Sequence, residues 1–396
     1  MQIDDDMRTG EAVMRQRDVT TKTPRLSVII PCYNEMATLP HCIANVMNIA
    51  HDNLALEIII VDDHSTDESL SIAKKLAAHH PAIRVLEHER NKGKGAAIRS
   101  GIAEATGDFI AIQDADLEYD PQDLLRLLQP LVGEKADVVI GSRFLSSGAH
   151  RVLYFWHSVG NKFLTLLSNM LTDINLTDME CCYKVFRKEV LKGIVIEENR
   201  FGFEPEIVAK ISTKRVRVYE MSVSYDGRTY SEGKKVNWKD GFRAIYCILH
   251  YNLPHCPVYV QFVGYLFVGL IAAIVNLWIF LLLYSFGLAI EIAAPTAFIV
   301  AAAANYLLSI VFIFRHKAKW STTWEIGIYC VVVLVGAALD LIVTKLSVNL
   351  GSSPAIAKII ATALVFAVNF IGRRYIVFPL AGRGEWQKQR EWIQKP

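Results

Sequence analysis

Three acidic residues stand at alternate positions after one apolar run in the first third of the sequence. Asp114, Asp116 and Glu118 follow the segment FIAI at 109–112. Side chains at i, i+2 and i+4 of an extended chain point the same way, and carboxylate oxygens are the ligands that hard divalent cations prefer. The spacing therefore predicts a site for Mg²⁺ or Mn²⁺ beside the end of a strand. Such a cation stabilises a leaving group on which negative charge builds, and a diphosphate is a leaving group of this kind.

Polar side chains also follow three other apolar runs. The four clusters lie at Asn34–Glu35, Asp62–Asp63, Asp114–Asp116 and Arg143. Segments with helical patterns separate the runs, and continuous Val/Ile runs that alternate with helices predict an α/β fold with a mostly parallel, doubly wound sheet. Ligands bind beyond the carboxyl ends of the strands in such sheets. We therefore expect the four clusters to meet at one site.

Length and composition indicate two domains of different character. A chain of 396 residues fits two domains, and residues 257–380 are far richer in apolar residues than 1–250. The net charge of +2, without a long basic run, gives no indication of nucleic-acid binding. The seven cysteines form no CxxC pair, so neither a zinc site nor a disulfide framework is expected. Residues 1–23 are polar and lack the apolar core of a signal peptide, so we expect a flexible leader and a cytoplasmic first half.

Four apolar segments in the second half are each long enough to cross a membrane. They are 258–285, 288–314, 323–347 and 354–378, and a hydrocarbon core of ~30 Å needs about 20 helical residues. Basic residues lie between the second and third segments, at Arg315, His316, Lys317 and Lys319, and again after Pro379. By the positive-inside rule, the first domain, this basic loop and both termini lie in the cytoplasm. A soluble helical bundle is the alternative interpretation.

Two further patterns concern the helices. Segments 305–314 and 369–378 each place an aromatic residue directly after Asn and Phe nine positions after it, which indicates two related helical hairpins. Segments 154–171 and 237–251 mix aromatic, basic and apolar residues. Each is either an ordinary amphipathic helix on the sheet or a helix on the membrane surface. The position of 237–251 just before the first span favours the membrane surface for that helix.

Four motifs together resemble the inverting family-2 glycosyltransferases of the GT-A fold. They are SVIIPCYNE, IIIVDDHSTD, NKGKGAAIRSGIAEATGDFIAIQDADLEYDP and VVIGSRF. Over about residues 25–250 the sequence is most similar to the branch of dolichyl-phosphate mannosyltransferases and polyprenyl-phosphate glucosyltransferases. The resemblance implies a metal-dependent hexosyltransferase that inverts the anomeric carbon. Its donor would be GDP-mannose or UDP-glucose, and its acceptor a polyisoprenyl phosphate, either dolichyl or undecaprenyl.

The resemblance also implies roles for individual residues. Asp116 and Glu118 would bind the metal, and the family often has Gln at the position of Glu118. The expected catalytic residues are Asp114, Asp116 and Arg143. The nucleotide-sugar would contact Pro31, Tyr33, Glu35, Val61, Asp63, Lys94, Asp114, Ala115 and Asp116. Lys94 belongs to the segment 91–101, whose glycines lack the spacing of a P-loop.

The acceptor requires cations rather than a base. A phosphate monoester has a second pKa of about 6 and is mostly dianionic at neutral pH, so no general base has to activate it. The basic residues that could place it are Arg143, His157, Arg228, Lys234 and Lys235. In the family, the basic loop that corresponds to 225–241 contacts phosphates. Asp178 and Glu180 are expected near the acceptor and the sugar, either orienting hydroxyl groups or acting as a weak base.

The four-helix part resembles the GtrA-like membrane domain through the Asn-aromatic and Phe features at 305–314 and 369–378. Its implied role is to anchor the protein in the lipid bilayer and to dock the polyprenyl chain. The predicted domains are a leader (1–23), a GT-A domain (24–235), an interfacial helix with a linker (236–256), the membrane domain (257–380) and a cytoplasmic tail (381–396).

Two other functions fit part of the pattern. A processive polysaccharide synthase usually carries a QxxRW motif before its pore helices, and the sequence does not contain one. A non-catalytic, flippase-type membrane subunit would not need the combination of Asp116, Glu118 and Arg143. The predicted product is a polyprenyl-phosphate sugar on the cytoplasmic face, and the sequence does not decide between the two donors.

Overall fold

The computed structural model describes residues 23–145, 151–152, 154–214, 216–228, 238–288, 290–314, 322–352 and 354–378. Four predicted features lie outside these residues: the leader up to residue 22, the basic pair Lys234 and Lys235, the basic loop at 315–319 and the tail at 381–396. Strands occupy the N-terminal part of the described chain, and four long helices form its C-terminal part.

The N-terminal part is built on one mixed sheet. Its strands are β1 (Arg25–Cys32), β2 (Ala55–Asp62), β3 (Ile83–Glu87), β4 (Phe109–Ile112), β5 (Val138–Ser142), β6 (Lys184–Arg187) and β7 (Val218–Ser222). They lie in the order β3-β2-β1-β4-β6-β5-β7. β6 is antiparallel to both of its neighbours, and the remaining pairs are parallel. The predicted α/β fold with a mostly parallel sheet is confirmed.

Helices surround the sheet. They are α1 (Leu39–Met47), α2 (Ser69–His79), α3 (Lys94–Glu104), α4 (Gln122–Val132), α5 (Phe155–Thr172), α6 (Lys188–Leu191), α7 (Phe203–Ser212) and α8 (Trp238–Asn252). Strands β1 and β2 are apolar along almost their whole length because helices cover them, and Ile29 and Ile59 are fully buried. The sequence patterns did not predict β6, β7, α6 or α7.

Helix α8, which lies in the predicted interfacial segment 236–256, packs on the N-terminal part of the structure. It packs against α5 and α7, and Cys247, Ile248 and Tyr251 are buried there. The same helix contacts the C-terminal part, because the ring of His250 donates a hydrogen bond from Nδ1 to the carbonyl oxygen of Val311 (2.7 Å). It therefore joins the two parts rather than linking them loosely.

The C-terminal helices form two hairpins. They are α9 (Val258–Ser285), α10 (Ile290–Leu308), α11 (Thr322–Asn349) and α12 (Pro354–Gly372), with α9 against α10 and α11 against α12. Among the described residues, the segment Val258–Leu283 is the one that is long and apolar enough to cross a membrane by length and composition. The segments Ile299–Phe314 and Trp324–Gly336 are apolar but shorter.

The two similar sequence segments occupy equivalent places in the two hairpins. Helix α10 continues into a π-helical segment at Ser309–Phe314, and α12 continues into one at Arg373–Val377. Phe314 and Phe378 are the last residues of the similar sequence segments 305–314 and 369–378. Their rings stack with centroids 4.9 Å apart. Arg373 donates hydrogen bonds to Asn305 and to the hydroxyl of Tyr329. The repeat thus brings the ends of both hairpins together.

The contact between α3 and β1 leaves no room for an added methyl group at Gly101. A Cβ at this position would lie 2.4 Å from Cγ2 of the buried Ile29. We expect Gly101→Ala to lower the free energy of unfolding by about 1–3 kcal/mol, the usual cost of overpacking. Thermal unfolding of the purified protein in detergent measures it.

A matched control is Gly160→Ala in α5, where a Cβ would meet no heavy atom within 4 Å. Alanine is favoured over glycine in a helix by about 0.5–1 kcal/mol, so this variant should be at least as stable as the wild type. Equal melting temperatures for the two variants would contradict the tight packing of α3 on β1.

Candidate active site

One cavity of about 1110 Å³ lies at the carboxyl edge of the sheet. The ends of β1, β2, β4 and β5 contribute to its wall, as predicted for the four polar clusters. Of the predicted site residues, eleven line it: Pro31, Tyr33, Glu35, Asp63, Lys94, Asp114, Asp116, Glu118, Arg143, His157 and Arg228. Helices α5, α7 and α8 close the far side, through residues that include Trp156, Glu204 and Gly241.

Two predicted contacts lie off the wall of the cavity. Val61 has no exposed surface in β2, and Ala115 is 3% exposed; neither side chain lines the cavity. Val61 in β2 and Ala115 in the turn after β4 both belong to the buried core of the N-terminal part. Their role in binding a nucleotide stays a prediction. Any contact of these two residues with a nucleotide would have to be made by their backbone atoms.

Asp63 holds the loop that precedes α3. Its carboxylate accepts hydrogen bonds from the backbone N–H groups of Lys92 (2.8 Å) and Gly93 (2.6 Å). It also bonds to Nδ1 of His88 (2.7 Å), whose Nε2 contacts the hydroxyl of Ser100 (2.9 Å). This buried network fixes the start of α3 and thereby the position of the next residue, Lys94.

Arg228 lies among the carboxylates that were predicted to bind metal. Its guanidinium is 3.0 Å from Asp116 and 3.5 Å from Glu35, and its Nε is 3.7 Å from Glu118. The backbone N–H of Arg228 donates to Glu118 (2.8 Å), and the hydroxyl of Tyr225 donates to the other oxygen of that carboxylate (3.0 Å). A cationic group thus already occupies the space between the three acids.

The charge around Asp116 fits a divalent cation. Burial, together with the negative charges of Asp114 and Glu118, raises the pKa of Asp116 to about 7, so this carboxylate is short of positive charge. Among the described residues, no three His, Cys, Asp or Glu side chains form a complete cation site. Mg²⁺ is commonly held by one or two carboxylates plus phosphate oxygens of a substrate, and Asp116 and Glu118 meet that requirement.

Lys94 lies between two acids from distant parts of the chain. Its Nζ is 2.9 Å from Asp114 and 3.2 Å from Glu204 at the start of α7. The negative charges of Asp114 and Glu204 hold the pKa of this buried lysine well above its usual value, although burial alone would lower it. Lys94 therefore stays charged and fixes both carboxylates against the cavity wall.

Arg143 is held by a fully buried partner. Asp178 has no exposed surface, and its two oxygens accept bonds from Nε (2.7 Å) and Nη2 (2.8 Å) of Arg143. The backbone N–H of Arg143 and Nδ2 of Asn161 donate to the same carboxylate (3.0 and 3.3 Å). The guanidinium also lies 5.2 Å from the centre of the Tyr225 ring. Asp178 thus orients Arg143, and the predicted contact of Asp178 with sugar or acceptor is not available to a side chain in this position.

Two supporting residues of the site were not predicted from the sequence. Tyr225 supports Glu118, and Glu204 supports Lys94. They come from the chain after β7 and from α7, elements that the sequence patterns did not predict. A signal was present for Glu204, because it is one of four acids close together in FEPE and the preceding EEN.

The far end of the cavity leads to an exposed apolar surface on α5. Phe155, Trp156, Phe163, Leu166 and Met170 are all exposed, with Trp156 at 78%. Their spacing places them along one side of the helix. Soluble surfaces seldom expose so many large apolar side chains together, and this pattern favours the predicted membrane-surface helix for 154–171.

Two family models match the chain. Residues 27–195 match the model described as glycosyl transferase family 2. Residues 264–378 match the model described as the GtrA/DPMS transmembrane domain. The first covers β1 to β6 and the cavity wall that they form, and the second covers the two helical hairpins.

Several curated proteins are similar in sequence. A dolichol-phosphate mannosyltransferase of Pyrococcus furiosus is 28% identical over 362 residues, which is 89% of this chain and 99% of that protein. An undecaprenyl-phosphate mannosyltransferase of Micrococcus luteus is 28% identical, over 53% of this chain and 87% of that protein. A dodecaprenyl-phosphate galacturonate synthase of Rhizobium johnstonii is 28% identical, over 58% of this chain and 67% of that protein.

Among solved structures, glucosyl-3-phosphoglycerate synthase of Mycobacterium tuberculosis, crystallised with Mn²⁺, uridine diphosphate and phosphoglyceric acid, resembles this chain. The identity is 20% and the TM-score 0.45, over 58% of this chain and 78% of that one.

Loss of the buried partner of Arg143 should affect both folding and turnover. Asp178→Asn leaves a buried guanidinium without its counter-charge, which costs about 3–5 kcal/mol in comparable pairs. We expect a lower melting temperature and a lower rate of sugar transfer. The control is Asp226→Asn, which removes an exposed ion pair with Arg151 (3.0 Å), where the loss is about 1 kcal/mol or less. Equal stability of the two variants would contradict the role of Asp178.

Fold, site and sequence similarity agree. The cavity at the strand ends contains the paired acids and cations that a reaction of a charged donor needs, and the helical hairpins carry the repeat of a known membrane domain. The chain carries a glycosyl transferase family 2 domain, followed by a C-terminal GtrA/DPMS transmembrane domain.

Proposed function

We propose that this enzyme transfers a hexose from a nucleotide-sugar to a polyisoprenyl phosphate and so forms a polyprenyl-phosphate sugar at the membrane. The observation that carries the proposal is the extent of the cavity. It runs from the acidic strand ends, where a nucleotide diphosphate fits, to helices α5 and α8, and α5 exposes large apolar side chains beside it. A water-soluble acceptor would not require an apolar surface at that end.

The donor occupies the end of the cavity near β1, β2 and α3 in this proposal. Tyr33 presents an exposed aromatic ring there, and Pro31 and Lys94 line the same wall. Mg²⁺ or Mn²⁺, held by Asp116 and Glu118, supplies positive charge that stabilises the diphosphate as it leaves. Arg228, which now pairs with Glu35 and Asp116, is close enough to contribute its own charge to that diphosphate.

The acceptor phosphate approaches from the side of α5 and α8. Arg143, with its guanidinium oriented by Asp178, and His157 on α5 line this part of the cavity; Lys234 and Lys235 follow Arg228 in the sequence. These cations offset the repulsion between two phosphate groups. A phosphate monoester is already mostly dianionic at neutral pH, so the site has to orient it rather than deprotonate it.

The reaction is a single displacement at C1 of the hexose. An oxygen of the lipid phosphate attacks C1 while the C1–O bond to the diphosphate breaks, and the electron pair of that bond remains on the nucleoside diphosphate. The new bond forms on the face opposite the old one, so an α-linked donor gives a β-linked product. No proton has to move in this step, and GDP-mannose and UDP-glucose are the two donors that we propose to test.

Four membrane spans and a cytoplasmic active site complete the proposal. Helices α9 to α12 correspond to the four predicted spans, and the ends of both hairpins meet at the side where α8 packs, through His250 and Val311. An even number of spans keeps the catalytic domain and the C-terminus on one side, as the basic residues at 315–319 indicate.

Transfer of the sugar to the lipid phosphate can be measured directly with a labelled donor. Purified protein in detergent, given Mn²⁺, polyprenyl phosphate and either radiolabelled GDP-mannose or UDP-glucose, should move label into the lipid phase with one donor. We expect Asp116→Ala to lower this transfer at least 100-fold, because catalytic groups that stabilise developing charge are worth roughly 10²–10³ in rate. Chelation of the metal should have the same effect.

The control is Asp226→Asn, which changes an exposed carboxylate near the cavity but not in it. Transfer by this variant should equal that of the wild type. Label that stays in the aqueous phase with both donors, while nucleotide binding persists, would contradict a lipid phosphate acceptor or both proposed sugars.

Substitutions on the exposed face of α5 should raise KM for a long-chain lipid acceptor and leave KM for a water-soluble acceptor unchanged. We expect Trp156→Ser combined with Phe163→Ser to raise KM for a long-chain polyprenyl phosphate about tenfold, since each buried aromatic side chain contributes about 1.5–3 kcal/mol on full burial. KM for a short, water-soluble isoprenyl phosphate should not change. Val195→Ser, at another exposed apolar residue, serves as the control, and equal effects on both acceptors would contradict docking of the lipid at α5.

A further inference from the structure

The backbone on both sides of Glu180 is fixed by hydrogen bonds. The N–H of Met179 donates to the hydroxyl of Thr165 in α5 (3.2 Å), and the N–H of Cys182 donates to the hydroxyl of Tyr119 (3.3 Å). The buried ammonium of Lys184 donates to the carbonyl oxygens of Met179 (3.1 Å) and Cys181. Glu180 therefore projects from a loop whose position is set before any ligand binds.

The side chain of Glu180, in contrast, lacks a partner for one oxygen. Oε1 is buried and makes no hydrogen bond to any residue that the structure describes. An unsatisfied buried acceptor destabilises the folded state, and folded proteins keep few of them. Burial and the negative charge of Glu204 raise the pKa of Glu180 to about 8, which reflects the same shortage of donors. This unsatisfied oxygen thus stands in a loop whose neighbouring backbone groups do have hydrogen-bond partners.

Glu180 lies where a donor sugar has to be. It lines the cavity together with Glu204 and Arg143, and these two are among the charged groups that act on it most strongly. Glu204 is joined through Lys94 to Asp114, next to the metal-binding acids, and Arg143 marks the proposed acceptor side. A group between these positions faces the part of the donor that lies between its diphosphate and the acceptor.

We propose that Glu180 binds hydroxyl groups of the donor hexose and so positions C1 for attack. The proposal rests on the proposed function, since it assigns a residue to the sugar of that reaction. The hydroxyl groups of a hexose are the donors that Oε1 lacks, and they would arrive only with the substrate. Glu180 would then contribute to recognition of the sugar and not of the nucleotide.

The experiment compares Glu180→Leu with Glu180→Gln. Leucine keeps much of the volume without hydrogen-bonding capacity, whereas glutamine keeps both shape and hydrogen bonds without the ability to accept a proton. We expect Glu180→Leu to lower kcat/KM for the nucleotide-sugar roughly 10- to 100-fold, because the hydroxyl groups of the bound sugar would then be desolvated without a hydrogen-bond partner. Glu180→Gln should recover most of that loss, and both variants should bind the free nucleoside diphosphate as the wild type does.

Stability separates a binding role from a structural one. Because Glu180→Leu removes a buried acceptor without a partner, its melting temperature should equal or exceed that of the wild type, as at other functional sites that trade stability for activity. A lower melting temperature with a parallel loss of nucleotide affinity would overturn the proposal. Equal loss of activity in the Leu and Gln variants would also overturn it, since that result indicates a general base.

Deoxy donors identify the contact. In the wild type, removal of one sugar hydroxyl should lower kcat/KM about as much as Glu180→Leu does, and the Leu variant should lose nothing further with that same donor. Additive losses at every hydroxyl would overturn the assignment. Binding of nucleotide-sugar relative to nucleoside diphosphate, measured by calorimetry, tests Glu180 even if no transfer to lipid occurs, so the failure of the proposed function can be told apart from the failure of this inference.

Discussion

Repulsion between carboxylates is the constraint on which this active site depends. Eight acids line one cavity: Glu35, Asp63, Asp114, Asp116, Glu118, Glu180, Glu204 and Asp240. Like charges in a partly desolvated space disfavour ionisation, and the raised pKa values of Asp116 and Glu180 express that cost. The site is stable because cations from elsewhere in the chain reach the acids. Lys94 and Arg228 do so directly.

Contacts of this kind also connect the end of the cavity near α3 to the C-terminal helices. The loop before α3 packs closely on residues 198–200, where a Cβ at Gly93 would lie 2.3 Å from the carbonyl oxygen of Asn199. Glu198, the buried residue that precedes Asn199, accepts two hydrogen bonds of 2.8 Å from the guanidinium of Arg243 in α8. Helix α8 in turn bonds to the end of α10 through His250. A continuous set of contacts therefore runs from the loop before α3, through α8, to the C-terminal helices.

The sequence predicted the frame of the site better than its side-chain pairs. Strand ends are readable because apolar runs stop at polar residues, and this rule located Glu35, Asp63, Asp116 and Arg143 correctly around one cavity. Strand β6 was missed because it is only 4 residues long and carries charged residues at both ends. Its antiparallel insertion between β4 and β5 follows from tertiary packing and not from a local pattern.

Sequence patterns cannot predict which side chains of the site pair with one another. Asp178 and Glu180 are two residues apart and were predicted to share a role, yet Asp178 is bonded to Arg143 while Oε1 of Glu180 has no partner among the described residues. On an irregular loop, the direction of each side chain depends on what packs beneath it. Here Thr165, Tyr119 and Lys184 set that direction, and their contacts with this loop cannot be predicted from a local sequence pattern.

The place of α8 explains why a family 2 domain and a membrane domain work as one unit. Asp240, Gly241 and Ala244 of this helix line the cavity, Arg243 holds the loop beside the nucleotide end, and Tyr246 packs against Phe312 at the end of α10 with ring centroids 5.6 Å apart. A shift of the membrane helices would move the cavity wall as well. An acceptor held by both the bilayer and the cavity needs a wall of fixed height above the membrane, and a single helix shared by the two domains provides it.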